Sequence, residues 1–183
     1  LCYEFDEWQR AGDVDVAEIG AGSAHFLVEL AAIHPERQFV AVDVKADRLQ
    51  SGARLATERG LTNIRFVRAR ADQVDELFVP GTLGAIWLTF SDPFPRKRSA
   101  GRRMTHPTFL AKYAAVLKPA GDLLIKHDNR SFFTWTLEQL IGQGWRILEL
   151  SFDLHESDVL DEYKILTAYE RRWLAEGLTT QFV

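Results

Sequence analysis

Apolar positions along this chain fall into two rhythms. Short runs bounded by turn residues read as buried strands, and longer stretches with apolar positions three and four apart read as helices. The first run is Val14-Asp15-Val16-Ala17-Glu18-Ile19, which Gly20-Ala21-Gly22-Ser23 turns into a helix. In that helix Phe26, Leu27, Leu30, Ala31 and Ile33 keep helical spacing up to Pro35. Gln38 to Val42 reads as a second strand closed by Asp43, and Asp47 as the cap of a helix that reaches Arg59 and stops at Gly60. Ile64 to Val67 follows as a strand, then a short helix from Asp72 to Phe78, a Pro80-Gly81 turn, and a fourth strand from Leu83 to Leu88. Pro107 to Leu117 reads as a helix, Asp122 to Ile125 as a strand and Ser131 to Ile141 as a helix. Trp145 to Phe152 and Ile165 to Tyr169 read as the last two strands. Strands separated by helices call for a mostly parallel seven-stranded sheet covered on both faces, an α/β fold. The last two strands have no long helix between them, which predicts one antiparallel member.

The bulk properties narrow the classes. At 183 residues, 46% apolar and 26% charged, the chain has the make-up of a single globular domain spanning 1–183. A net charge of −4 excludes a wholly basic nucleic-acid coat, but leaves room for one basic face. The single cysteine, Cys2, cannot form an internal disulfide, so a reducing cytoplasm is expected. No apolar run approaches a membrane span and no signal peptide is visible, so no membrane partner is expected. The chain begins at Leu1 and its only methionine is Met104, so a preceding N-terminal segment is expected.

One loop stands out. The apolar run Leu83 to Phe90 leads straight into Ser91-Asp92-Pro93-Phe94-Pro95-Arg96-Lys97-Arg98, and Arg102 and Arg103 follow with no acid between Arg96 and His106. Open α/β sheets bind ligands at the carboxyl ends of their strands. The prolines fix φ beside Asp92 and Phe94, and the cations suit a phosphate backbone. The bland alternative is a solvated charged loop. Phe94 could stack on a base or fold into the core.

At the other turn, Gly20 and Gly22 let the backbone bend tightly and a ligand approach the main chain. A dinucleotide fingerprint would need a third glycine where His25 stands, which disfavours a nicotinamide cofactor. Asp43 closes the second strand where an acid accepts hydrogen bonds from ribose hydroxyls. Glu18, two residues before the first glycine, can hold a cationic group such as an amino-acid ammonium.

Those acids, the Gly-x-Gly turn and Leu117-Lys118-Pro119-Ala120-Gly121 resemble the class I S-adenosylmethionine-dependent methyltransferases, which have a Rossmann-like fold. That family usually has glycine where Ala24 and Ala120 stand, and alanine is tolerable there if φ is negative. The Asp92 loop narrows the resemblance to the bacterial tRNA (guanine-N7)-methyltransferases. Their pattern Phe-Pro-Asp-Pro-Trp-Pro-Lys-Lys-Arg, then Lys-Arg-Arg and Thr-His-Pro, is similar to Phe90 through Arg98 and Arg102 through Pro107. Lys126-His127-Asp128-Asn129 is similar to their Lys-Thr-Asp-Asn, and Thr167-Ala168-Tyr169-Glu170 to their Thr-x-Tyr-Glu. The departures are Ser91 for proline, Phe94 for tryptophan, Arg96 for lysine, and Ala69-Arg70-Ala71-Asp72 where Gly-Asp-Ala or Gly-Asn-Ala is frequent.

The resemblance implies methyl transfer from S-adenosylmethionine, without a metal, to N7 of a guanine in the variable loop of tRNA. It implies a cytoplasmic enzyme, monomer or homodimer. Carried over residue by residue, it makes Asp92 the acid at the target base. Glu18, Gly20, Gly22, Asp43, Ala71 and Asp72 fall on the cofactor, and Arg96, Lys97, Arg98, Arg102, Arg103, Asp128, Thr167, Tyr169 and Glu170 on the RNA. Two other readings are a small-molecule methyltransferase, which leaves the cationic loop unexplained, and a non-catalytic cofactor- or RNA-binding module.

Overall fold

A computed structural model describes residues 2–183. Five strands, β2 (Val16–Ile19), β3 (Phe39–Asp43), β4 (Ile64–Arg68), β5 (Leu83–Thr89) and β6 (Leu117–His127), form where the apolar runs predict them. The short β1 (Cys2–Glu4) lies parallel to β4 on the outer edge, and β7 (Gln181–Phe182) lies antiparallel to β6 on the other. The sheet therefore has seven strands in the order β1-β4-β3-β2-β5-β6-β7.

Side-chain alternation sorts the strands onto two cores. Ala17, Ile19, Val40, Val42, Ile86, Leu88 and Ile125 face α3 (Val74–Leu77), α4 (Pro107–Val116) and α5 (Arg130–Gly142). Val16, Phe39, Ala41, Phe66, Trp87 and Leu124 face α1 (His25–Ile33) and α2 (Ala46–Glu58). Both faces are covered, as near-continuous apolar strands require. Successive strands run outward from β2 in one direction and from β5 in the other. The order reverses between β2 and β5, and open α/β sheets bind ligands beyond the carboxyl ends of their strands at such a point.

Three expectations need correction. Ile165 to Tyr169 is not a strand: Thr167 caps α6 (Ala168–Ala175), its hydroxyl accepting from Glu170 N at 3.0 Å while the Glu170 carboxylate accepts from Thr167 N at 2.7 Å. This capping box satisfies helix-end donors that a strand would have used in a ladder. Trp145 to Phe152 is not a strand either. Only Ser151 bridges to Phe182, because β7 occupies the place beside β6, and Leu148 and Leu150 stay exposed. Asp47 lies in the first turn of α2 rather than capping it; Lys45 holds that position.

The two alanines at family glycine positions do not have the negative φ that would make them tolerable. Ala24 has φ +54° and Ala120 φ +62°, the left-handed region that disfavours any Cβ. Ala120 is exposed, in a stretch of β6 that loops out between Leu117, opposite Leu83, and Asp122, opposite Ala85. Ala120→Gly is therefore expected to stabilise the fold by about 1 kcal/mol, seen in calorimetry as a rise of roughly 2–4 °C in Tm. A fall in Tm would mean that the alanine methyl makes a contact worth more than the strain.

Candidate active site

Glu18, at the end of β2, is 1% exposed. Its Oε1 accepts a 2.6 Å hydrogen bond from the Thr89 hydroxyl at the end of β5. Its Oε2 is buried with no hydrogen-bond partner. Burial pushes the carboxyl up from 4.5 to about 7, against the pull of the Thr89 hydrogen bond and the Lys126 charge. An unpartnered carboxylate oxygen in the interior is costly unless a donor reaches it.

Beside it the chain turns through Gly20 at φ +73° and Gly22 at φ +58°. A Cβ on Gly20 would stand 2.6 Å from the Met104 methyl, so this glycine also lets Met104 close against the turn. Gly22 N donates to Asp43 Oδ2 at 2.8 Å and Lys45 N to Oδ1 at 2.9 Å. Each oxygen keeps a lone pair for a further donor. Ala71 and Asp72 form the helical turn after β4; the Asp72 carboxylate is exposed and held by Arg70 Nε at 2.9 Å. The observed orphan acid, glycine turn and second acid fit S-adenosylmethionine. Glu18 would take its ammonium, Gly20 and Gly22 its amino-acid part, and Asp43 its ribose.

The Asp92 loop leaves the neighbouring strand end. Asp92 is exposed and its Oδ1 accepts from Phe94 N at 2.9 Å, a turn that holds the carboxylate in place. Phe90 at φ +52° and Phe94 at φ +39° put backbone strain on both sides of Asp92. Arg103 restrains the loop: Nε donates to Pro93 O at 2.9 Å, Nη2 to Phe94 O at 3.0 Å, and the guanidinium lies 4.4 Å over the Trp135 ring. Arg102 covers Phe94 at 4.6 Å, and Arg96, Lys97 and Arg98 are exposed.

On the adjacent strand, His127 closes β6. Its Nε2 donates to Ser91 O at 2.7 Å and its Nδ1 accepts from Asn129 N at 2.9 Å, which fixes the neutral tautomer. Burial pushes the imidazole below its ordinary 6.5. This bond ties the Asp92 loop to the end of β6. The Tyr169 hydroxyl donates to Asp128 Oδ2 at 3.3 Å, and its ring packs 5.2 Å from Phe90. The loop, Asp128 and the start of α6 thus form one cluster.

Two of the expected RNA-binding residues are built into the fold instead. Arg103 is 9% exposed with its donors on two carbonyls, and Glu170 is 1% exposed with its carboxylate on Thr167 N, His155 and Lys126. Both spend hydrogen-bonding capacity inside the fold. Arg103→Ala is accordingly expected to loosen the loop and leave the salt dependence of RNA binding unchanged. Alanines at Arg96, Lys97 and Arg98 should lower that slope by roughly 0.7–0.9 per lost phosphate contact. Filter binding over a salt series checks both; a flattened slope in R103A would return that side chain to the phosphates.

Sequence reading missed Thr89, Met104 and the role of Lys126. Thr89 carries no signal, since a threonine ending a strand is ordinary. Lys126 did signal: a lysine directly after Leu123-Leu124-Ile125 sits at a core position, where a charge needs a partner. A cavity of about 560 Å³ between Leu123, Trp145, Ile147 and Val183 lies toward the opposite end of β6 and takes no part in the site.

Residues 13–182 match a family model described as a putative methyltransferase. The tRNA (guanine-N(7)-)-methyltransferase of Cytophaga hutchinsonii is 37% identical over 98% of this chain and 83% of its own length. This chain belongs to the tRNA (guanine-N(7)-)-methyltransferase family. The family member from Mycoplasmopsis agalactiae is 39% identical over 93% of this chain and 82% of its own. Among solved structures, the 16S rRNA methyltransferase KamB superposes with a TM-score of 0.66 at 17% identity, covering 93% of this chain and 86% of that one. A 16S rRNA (adenine(1408)-N(1))-methyltransferase from Catenulisporales acidiphilia with cosubstrate SAM gives 0.63 at 17%, covering 93% and 82%. These two likenesses establish the fold.

Proposed function

We propose that this protein transfers a methyl group from S-adenosylmethionine to N7 of a guanine in the variable loop of tRNA, in the cytoplasm. One observation carries the cofactor side: the buried, unpartnered Glu18 Oε2 stands beside the Gly20 turn at the switch point of the sheet. The acceptor follows from the relatives of that name, which align over nearly the whole chain. No described helix is long and apolar enough to cross a membrane.

The cofactor supplies an electrophilic methyl on a sulfonium. Guanine N7 has a free lone pair, so no base has to remove a proton from it. The work left to the protein is orientation and electrostatics. Asp92 accepts hydrogen bonds from the guanine edge and balances the positive charge that develops on the ring. Asp128 and Tyr169 hold the nucleotide from the other side, with Thr167 at the start of α6. Arg96, Lys97, Arg98 and Arg102 bind phosphates. His127, kept neutral and bonded to Ser91 O, adds no charge beside the cationic product.

The deciding experiment is transfer of labelled methyl to unmodified tRNA followed by nucleoside analysis. A 7-methylguanosine peak is expected. S-adenosylhomocysteine binding without any labelled nucleoside would overturn the reading in favour of a binding module, and a labelled small molecule in its place would favour a small-molecule methyltransferase.

A further inference from the structure

We propose that Lys126 is a positioning residue that couples the cofactor acid Glu18 to the substrate-side start of α6. The coupling rests on the reading above for its two ligands. The placement rests on geometry alone.

Lys126 is fully buried. The β5–β6 register sets it opposite Thr89, whose hydroxyl is bonded to Glu18. Glu18, Thr89 and Lys126 therefore come from three adjacent strands, β2, β5 and β6, at one end of the sheet. The ammonium lies 4.5 Å from the Phe26 ring centre, donates to Ile165 O at 2.8 Å and stands 3.5 Å from Glu170 Oε2. That same Glu170 oxygen accepts from Thr167 N at 2.7 Å and closes the capping box of α6. Glu170 Oε1 lies 3.1 Å from His155 Nε2. Lys126 thus secures both the strand of chain leading into α6, through Ile165, and the cap itself, through Glu170. Thr167 and Tyr169, the residues assigned to the nucleotide, sit on that first turn.

The cluster holds more acid than base. Glu18 and Glu170 both draw on Lys126, His155 faces only Glu170, and Asp43 adds negative charge on the Glu18 side. Burial brings Lys126 down to about 8, with both acids resisting. An ammonium arriving at Glu18 Oε2 supplies the second cation. The Lys126 charge then acts mainly on its partner Glu170, and the α6 cap tightens. Cofactor binding thereby prepares the nucleotide site through the protein, in addition to the contact at the reacting atoms, and linkage requires the reverse effect too.

Hydrogen exchange on the cofactor-free protein tests the placement. In K126M the amides of Glu170 and Arg171 should lose about tenfold or more in protection, with β3 unchanged. In the K126M/E170Q double variant most of that protection should return, because position 170 no longer holds a buried carboxylate that has lost its counterion. Unchanged protection in K126M, or a double variant no better than the single, would overturn the proposal. Should K126M also lose protection in β3, E170Q alone carries the test, since it removes the same pair from the other side: it should lower protection in the first turn of α6, and no loss there would overturn the placement.

Titration of unmodified tRNA with and without S-adenosylhomocysteine tests the coupling. In the wild-type protein the nucleoside should tighten RNA binding about fivefold or more, and in K126M the ratio should fall toward one. A merely structural lysine would weaken RNA binding equally in both conditions, and that result would overturn the coupling. Failure of the wild type to bind S-adenosylhomocysteine would overturn the methyltransferase reading and the coupling together, while the exchange data would still decide the placement.

Discussion

Replacing Asp92 with asparagine is expected to lower the rate of methyl transfer by about 10²–10³-fold while S-adenosylhomocysteine affinity stays within about twofold. The asparagine amide oxygen can still accept from Phe94 N, so the turn at the head of the loop survives and only the charge is lost. The charge is what the proposed role of Asp92 requires. Guanine becomes cationic as N7 takes the methyl group, and a carboxylate already in position stabilises that change without reorganising. Arg103 and His127 hold the loop at both ends, through Pro93 O, Phe94 O and Ser91 O, so the carboxylate is placed before substrate arrives. Asp92→Ala removes charge and turn together and should be at least as slow. Single-turnover rates on unmodified tRNA separate the roles. A normal rate in D92N with a slow D92A would show that the turn, not the charge, is the contribution of Asp92.

Glu18→Gln should have opposite effects on the free protein and on cofactor binding. In the free protein Glu18 is a buried acid raised to about 7 by desolvation. Its folded form therefore binds more protons than the unfolded chain between about 4.5 and 7. Stability from this group is complete below the unfolded value and is lost as pH rises through 7. Glutamine does not titrate, so the variant should melt higher than the wild type above pH 7, and the two should converge below pH 5. Cofactor binding runs the other way, because the ammonium needs the carboxylate. Removing that charge should weaken S-adenosylhomocysteine by about 2–5 kcal/mol, or roughly 30-fold to several thousand-fold. In the wild type the affinity should fall about tenfold per pH unit below 7. Isothermal titration across pH 5.5–8.5 reads both, on the order-of-magnitude window set by that carboxyl. A flat profile would place the ammonium elsewhere.

The central five strands and their helices were legible because each apolar run is short, uninterrupted and closed by glycine, proline or an acid. The edges were not. Cys2–Glu4 is three residues long and has no period to detect, and it becomes a strand only because β4 offers it an open ladder. Trp145 to Phe152 carries the apolar residues of a strand, yet the position beside β6 goes to Gln181–Phe182. Thr167-x-x-Glu170 competes directly with the strand reading. Its capping box is a local signal that wins once Lys126 is buried against it.

The site residues divide in the same way. Composition and spacing alone bring out Glu18, Gly20, Gly22, Asp43, Asp92 and the cations, because a ligand at strand ends needs those chemistries at those turns. Burial is decided by the whole chain. Arg103 and Glu170 look in sequence like free charges among free charges, and only tertiary packing shows that one closes on backbone carbonyls and the other on a buried lysine. Likewise, the left-handed φ of Ala24 and Ala120 is invisible in residue identity, since the turn geometry is imposed by the strands and helices it joins. The sequence by itself therefore determined the layered α/β order and the chemistry at the strand ends, because periodicity and turn residues act locally. Tertiary structure decided which charges face solvent and which hold the fold together, because desolvation depends on neighbours distant along the chain.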